Sequence, residues 1–260
     1  FLLVAPLIIM PFGGWFLLIF RHLREALSRP LDRYLWLWFF SVLAVFSLSG
    51  TKLPHYLLYG MSGVFLLMAQ YRANINNPWI GFAPALLLFA LFAALPQLFG
   101  YLAGQADRLY EQTLFQAGAE RLAGWSQVAC VVALILTVAI VFLKTALWQR
   151  LLLLGFLQAS LVAVLILPAV MEVLQGGVKA AALYAREHGK ELVLYRTFQP
   201  SLSVYREQII RRQAAQPGQW VYMRVDRVDE FLAQPSPYRR EIVFSQPPAT
   251  LVAIEDKGSE

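Results

Sequence analysis

Long apolar segments separated by short polar ones fill residues 1–170, and this pattern limits the fold more than any other feature. These residues contain 10 Lys and Arg and 5 Asp and Glu, against 12 and 11 in residues 171–260. The whole chain is 58% hydrophobic and 15% charged, whereas a soluble domain carries about a quarter charged residues. The sequence therefore predicts a transmembrane helical domain over residues 1–170 and a soluble α/β domain over residues 171–260.

A helix needs about 20 apolar residues to cross a bilayer. Residues 1–170 contain six segments that approach or reach this length. The predicted fold is therefore mainly α, a polytopic membrane protein of about six transmembrane helices with a small C-terminal α/β domain. The six predicted spans are residues 1–20, 34–48, 57–70, 79–101, 125–143 and 151–170.

The basic residues predict which side of the membrane each loop faces. Loops 21–33, 71–78 and 144–150 hold seven Lys and Arg, and the opposite side holds three: Lys52, Arg108 and Arg121. Cytoplasmic loops carry the excess of Lys and Arg, so the first set is predicted to be cytoplasmic. The Lys52 turn, the polar connection 102–124 and the C-terminal domain then lie outside, in the periplasm of a bacterial cell. The net charge of +6 reflects this topology and not nucleic-acid binding.

A polar turn over residues 46–59 joins the second and third predicted spans. Lys52 is the only charged residue between Arg33 and Arg72, and Thr51, His55 and Tyr56 lie beside it. One interpretation is a phosphate site, because a lone cation with hydrogen-bond donors suits an anion. The other is a helix–turn–helix corner whose lysine extends to the membrane surface. The residues alone favour the corner.

The C-terminal domain alternates helical and strand patterns, which favours a mixed or parallel sheet. Strands are predicted over residues 191–197, 220–225, 240–244 and 250–254, and helices over 178–187, 200–212 and 228–233. Arg211 and Arg212 are interpreted as a solvated helix face. The predicted core consists of Leu192, Leu194, Val221, Met223, Ile242 and Phe244.

Several kinds of chemistry have no pattern in the sequence. The C-terminal domain contains no glycine-rich phosphate loop, metal-ligand cluster or nucleophile triad. Cys130 is the single cysteine, which excludes an intrachain disulfide and a metal site built on thiolates. The acidic residues of the polar connection, Asp107, Glu111 and Glu120, are interpreted as loop solvation.

Two elements resemble a family of bacterial membrane enzymes. Phe39-Phe40 followed by Phe46-Ser-Leu-Ser-Gly-Thr-Lys-Leu-Pro-His-Tyr56 is similar to a signature of glycosyltransferases that use polyprenyl-phosphate sugars. These are the relatives of the lipid A aminoarabinose transferase and the protein mannosyltransferases, which share the GT-C membrane fold. Phe198-Gln-Pro-Ser-Leu-Ser-Val-Tyr205 resembles an element of that family's terminal periplasmic domain, with Val204 in place of the usual Phe. Only the first motif is specific.

The resemblance implies sugar transfer from a polyprenyl-phosphate carrier to lipid A, a protein or another glycan at the outer face of the inner membrane. It assigns the carrier phosphate to Lys52 and Tyr56, with Thr51 and His55 as weaker candidates. The sequence shows no cofactor requirement beyond the lipid-linked donor, and it leaves a divalent metal open. In the family the activating acidic residues lie in the first outer loop, so they are expected upstream of this chain, which resembles the C-terminal portion of such an enzyme.

Two other functional classes stay open. A transporter or flippase component would also contain broken helices and a lone intramembrane cation, although no inverted repeat is detectable. A non-catalytic membrane anchor that presents a periplasmic binding domain is the other alternative.

Overall fold

A computed structural model describes residues 5–50, 53–211 and 213–256. Phe1, Thr51, Lys52 and Arg212, on which sequence predictions rest, lie outside the described residues. The chain is 68% helical and contains a small four-stranded mixed sheet, which confirms the mainly helical class. Its contacts divide it into two units, Phe1–Ala94 with Gln127–Val164 and Leu95–Ser126 with Leu165–Glu260. The boundary between membrane and soluble parts at residue 170 stays a prediction.

The described part of the first predicted span, residues 5–20, contains short helices in place of one continuous helix. Pro11 lacks a backbone N–H, and Gly13 and Gly14 lower helix propensity, so a continuous helix is disfavoured here. A 3₁₀ turn, Phe20–His22, leads out of this region. The short helices are α1 (Ala5–Ile8), α2 (Gly13–Ile19) and α3 (Leu23–Ala26).

Longer helices follow. α4 begins at Pro30, whose fixed φ suits the first turn of a helix. A 3₁₀ turn, Pro54–Leu57, leads into α5. The helices of this stretch are α4 (Pro30–Leu48), α5 (Leu58–Gln70), α6 (Pro78–Gln105), α7 (Leu109–Leu122), α8 (Trp125–Val141) and α9 (Leu147–Leu161).

Two sequence predictions about these helices are wrong. The connection 102–124 is not a loop, because α7 occupies most of it. The sixth predicted span and the helix at 178–187 are one helix, Leu147–Glu187, of 41 residues. A π-helical turn, Val162–Ile166, separates α9 from α10 (Leu167–Glu187) and precedes Pro168, where the regular backbone hydrogen bond is impossible.

Three helices of the described chain are long and apolar enough to cross a membrane: Pro30–Leu48, Pro78–Gln105 and Leu147–Glu187. The bent pair Leu109–Leu122 and Trp125–Val141 would be a fourth if it counts as one span. A count of six spans stays a prediction, as does the periplasmic location of the C-terminal domain.

The sheet belongs to the second unit, and its strands are β1 (Leu192–Leu194), β2 (Trp220–Arg224), β3 (Tyr238–Gln246) and β4 (Ala249–Asp256). Their order in the sheet is β1-β2-β4-β3. β1 pairs with β2 in parallel, and both other pairs are antiparallel. Its short helices are α11 (Pro200–Arg206) and α12 (Val228–Ala233).

Some details of the predicted C-terminal domain need correction. The helix from Pro200 ends at Arg206, because Glu207 adopts a left-handed conformation with φ of 59°. Arg211 therefore lies on no helix face; it forms an isolated parallel bridge with Val193. In the predicted core, Leu192, Val221 and Met223 are buried, but Leu194 and Phe244 are only partly buried.

Ile242 is also assigned wrongly to the core, since its side chain is 46% exposed. The register shifts between Ile242 and Phe244, where β3 pairs with Val252 and then with Leu251. An extra residue at Val243 breaks the alternation of side chains from which the core was predicted.

Candidate functional site

The helices that lead into and out of the polar turn, α4 and α5, pack closely against each other. Gly63 lies so near α4 that an added Cβ would come within 2.9 Å of the Leu35 backbone oxygen. A Cβ at Gly60 would lie 3.1 Å from the Val42 side chain. Glycines at both positions therefore let the two backbones approach closely, as small residues do where membrane helices pack.

The backbone leaves the helical conformation on both sides of the predicted phosphate site. α4 ends at Leu48, and Ser49 is extended with ψ of 144°. Leu53 is also extended, and helical structure resumes at Pro54. Tyr56 therefore lies in the 3₁₀ turn Pro54–Leu57 and not in a continuation of α4.

Aromatic rings surround the described part of this turn. The Tyr56 ring stacks on Phe46 at 4.8 Å between centroids, and Tyr59 lies 6.2 Å from Phe46. The exposed His55 ring meets Tyr56 edge-on at 4.7 Å. The Trp38 indole donates a hydrogen bond to the Tyr59 backbone oxygen at 2.9 Å. Phe46 on α4 thus fixes Tyr56 beside the turn, where its hydroxyl and the His55 ring supply hydrogen-bond donors.

A buried carboxylate at the other end of α4 was missed by the sequence analysis. Asp32 was placed in a loop, but it lies in the first turn of α4 and is only 1% exposed. It accepts hydrogen bonds from the Tyr71 hydroxyl at 2.7 Å and from Gln70 Nε2 at 3.0 Å. The signal was present in the sequence: Pro30 followed two residues later by an acid is typical of a helix start.

The surroundings of Tyr71 keep it a hydrogen-bond donor. Burial and then the hydrogen bond to Asp32 raise the pKa of Tyr71 to about 12. The His22 ring stacks on the Tyr71 ring at 5.2 Å, and the Arg29 guanidinium lies 6.0 Å from its centroid. Arg29 also pairs with Glu25 at 2.8 Å.

Asp32 and the polar turn lie at opposite ends of α4. Asp32 and Ser49, which follows the last residue of α4, are 17 positions apart, which corresponds to about 25 Å along a helix. The Asp32 carboxylate therefore does not belong to a site at residues 49–57. Its contacts join α4 to the end of α5.

In the second unit, the acidic residues predicted to be loop solvation lie in or next to helix α7. Glu111 pairs with Arg108 at 3.5 Å, and Glu120 accepts a hydrogen bond from Gln116 at 3.4 Å. Both contacts join residues three or four positions apart, and such local pairs support the helix.

An ion pair after β2 also contacts α7. Arg224 donates two hydrogen bonds to Asp226, at 3.0 and 2.5 Å, and its guanidinium lies 4.0 Å from the Tyr110 ring centroid. Burial would raise the pKa of Asp226, but the hydrogen bonds from Arg224 and the charges of Arg224 and Arg227 together outweigh it, so this pKa lies below its ordinary value. The same hydrogen bonds raise the pKa of Arg224.

Comparison with known proteins identifies no relative. No family model matches the chain, and no curated protein or solved structure is significantly similar to it. Among the residues that the structure describes, no group of three or more His, Cys, Asp or Glu side chains could hold a metal ion. The predicted roles of Lys52, Thr51, His55 and Tyr56 stay predictions.

Proposed function

We propose that this chain belongs to a membrane glycosyltransferase that moves a sugar from a polyprenyl-phosphate carrier to lipid A, a protein or another glycan. The reaction takes place at the outer face of the bacterial inner membrane, and the C-terminal domain is periplasmic. The observation that carries the proposal is the 46–56 motif, whose described residues Ser49 and Leu53, on either side of the predicted phosphate site, are extended between α4 and the Pro54–Leu57 turn.

The chemistry of the carrier explains why such a break suits it. When the anomeric carbon is attacked, the carrier leaves as a phosphate with increased negative charge. A cation and hydrogen-bond donors placed at that phosphate stabilise the transition state. In the proposal Lys52 supplies the charge and Tyr56 donates its hydroxyl, with Thr51 and His55 as further donors. The exposed aromatic side chain of Tyr59 and the exposed Leu53 offer apolar surface to the isoprenoid chain.

Binding of the carrier is the first test. Undecaprenyl phosphate and the uncharged undecaprenol are titrated into the purified chain in lipid nanodiscs, and bound lipid is counted by native mass spectrometry. Lys52→Met keeps the aliphatic stem and removes the charge, and a lost charge-assisted contact costs on the order of 1.5–3 kcal/mol. We expect it to weaken binding of the phosphate roughly ten- to a hundredfold and to leave undecaprenol unchanged. Lys52→Arg should retain part of the affinity.

Lys144→Met is the matched control, since Lys144 is an exposed lysine in another short connection. Equal binding of the phosphate by Lys52→Met and the parent would remove Lys52 from the site. Transfer itself is measured in membranes that contain equal amounts of the full-length enzyme with each substitution and a radiolabelled polyprenyl-phosphate sugar. Absence of label in every lipid, protein and glycan fraction of the parent membranes would overturn the proposed activity.

A further inference from the structure

The two faces of the C-terminal sheet are covered unequally. On one face the 21-residue helix α10 and α11 bury Val178, Ala181 and Leu202 against the strands. On the other face lies α12, whose six residues make a helix about 9 Å long. Four strands about 4.8 Å apart span roughly 14 Å, so α12 leaves part of this face open.

The open part of the face is a pocket of about 280 Å³. Its floor contains Val193, Val221 and Ile254 from three neighbouring strands, and the rings of Tyr195 and Phe231 are part of its wall. The volume is just under the range of about 300–1,000 Å³ typical of small-molecule sites. The pocket therefore suits a small ligand with an apolar or ring-shaped body.

Arg240 brings a positive charge into this pocket. Its guanidinium lies 4.2 Å from the Phe231 ring centroid, and Nη1 donates to the backbone oxygens of Phe231 and Gln234, the latter at 3.1 Å. Its Nε is buried and has no hydrogen-bond partner. Within residues 5–50, 53–211 and 213–256, no carboxylate forms an ion pair with Arg240.

The acidic residue bonded to the pocket wall is already neutralised. Glu230 accepts hydrogen bonds from Arg227 at 2.8 Å, from Arg196, and from the Tyr195 hydroxyl at 3.3 Å. The hydrogen bond from Arg227 holds the pKa of Glu230 below its ordinary value, so it stays ionised and paired. Gln234 Nε2 donates to the same Tyr195 hydroxyl at 2.5 Å and holds the ring in place. The charge of Arg240 is left without compensation.

We propose that this pocket binds a small organic anion, whose carboxylate or phosphate pairs with Arg240 and whose body rests against the Tyr195 and Phe231 rings. Guanidinium groups recognise both anions through directed N–H donors. Arg240 also binds the last carbonyl groups of α12, which stabilises the end of that helix. That contact uses Nη1 alone and leaves the Nη2 donors for a ligand.

Calorimetric titration of the full chain in nanodiscs tests the proposal with three probes: glucuronate, glucose 1-phosphate and glucose. We expect at least one anionic probe to bind clearly more tightly than glucose. Tighter binding of glucuronate assigns a carboxylate ligand, and tighter binding of glucose 1-phosphate assigns a phosphate. Arg240→Gln should lower the affinity for the anionic probe roughly ten- to a hundredfold, as expected for a lost charge-assisted contact.

Two further variants separate ligand binding from the helix contact. Ala214 is exposed and lines the pocket, so Ala214→Trp should fill it and reduce binding while leaving Arg240 untouched. Arg239→Gln is the control, because Arg239 precedes Arg240 on β3 and its 64% exposed side chain points to the opposite face. It should bind as the parent does.

The proposal is overturned if neither anionic probe binds more tightly than glucose. It is also overturned if Ala214→Trp binds the anionic probe with the parent affinity. This variant leaves Arg240 in place, so its result holds even if Arg240→Gln lowers the melting temperature of the protein.

Discussion

The Tyr71 hydroxyl donates a 2.7 Å hydrogen bond to the carboxylate of Asp32, and both side chains are buried. The contact ties the first turn of α4 to the residue that ends α5, 39 positions further along the chain. A buried carboxylate is costly unless its hydrogen bonds are satisfied, so this contact holds the α4–α5 hairpin closed at the end opposite the polar turn.

Removal of the Tyr71 hydroxyl should therefore destabilise the protein. Tyr71→Phe keeps the ring and leaves Asp32 with one donor fewer, which should cost about 1.5–3 kcal/mol. Thermal unfolding in detergent, followed by circular dichroism, measures the change. Tyr34→Phe is the control, since Tyr34 lies on α4, as Asp32 does, and is 58% exposed. If both variants melted with the parent, the Asp32 contact would contribute nothing to stability.

Gly63→Ala should loosen the same hairpin. The new Cβ would lie 2.9 Å from the Leu35 backbone oxygen, and backbone cannot move aside as a flexible side chain can. We expect a loss of about 1–3 kcal/mol in the unfolding free energy, as for other overpacked sites.

Gly100→Ala in α6 is the matched comparison for Gly63→Ala. No atom lies within 4 Å of the new Cβ, so the better helix propensity of alanine should make this variant neutral or slightly stabilising. Equal melting temperatures for the two variants would contradict the close approach of α4 and α5.

The Arg224–Asp226 pair should make stability depend on pH in the acid range. The folded-state pKa of Asp226 is lowered, so its contribution is complete above the ordinary value of about 3.9 and is lost as the pH falls through the folded value. Asp226→Asn should be less stable than the parent by about 1 kcal/mol at pH 7, because the pair is only partly buried.

The difference in stability between Asp226→Asn and the parent should become smaller as the pH falls below about 4. Thermal melts between pH 3 and 7 measure it, and Glu255→Gln, an exposed position on β4, is the control. A difference that stayed constant down to pH 3 would show that the ionised carboxylate is not what stabilises the pair.

The charge bias of the loops predicts the sides of the membrane. With Cys130→Ala as background, Ser28→Cys should be labelled by an impermeant maleimide only from the cytoplasmic side. Ser245→Cys should be labelled only from the outside; both serines are exposed. Labelling of both cysteines from the same side would be incompatible with the predicted topology.

Local patterns predicted the elements whose sequence signals agree with their tertiary surroundings. Helix Val228–Ala233 was predicted with its observed bounds, and the strand at Trp220 differs by one residue at its end. Both are flanked by clear signals. A Pro-Gly turn precedes Trp220, and after Arg224 the spacing of the apolar residues changes from that of a strand to that of a helix. The start of α4 at Pro30 follows the same logic, although the sequence analysis did not use it.

The remaining errors arise where distant contacts decide the structure. The sixth predicted span ends at residue 170, but the π-helical turn before Pro168 accommodates the missing N–H, and the helix continues to Glu187. Burial of Asp32 depends on Tyr71, a partner that no local pattern around position 32 reveals. The pocket around Arg240 depends on how little of the sheet α12 covers, which follows from the assembled strand order.

The strand order and the irregular pairing in β3 also bear on how the protein behaves at high concentration. The edges of the sheet are β1, which has only three residues, and β3, which carries Arg239, Arg240 and Glu241 and a register shift after Ile242. Exposed strand edges invite pairing with other molecules, and short length, charge and local twisting each oppose it. Both edges of the sheet are thus protected against edge-to-edge polymerisation. A variant that lacks Val243, and so has regular pairing in β3, should form β-rich aggregates more readily than the parent.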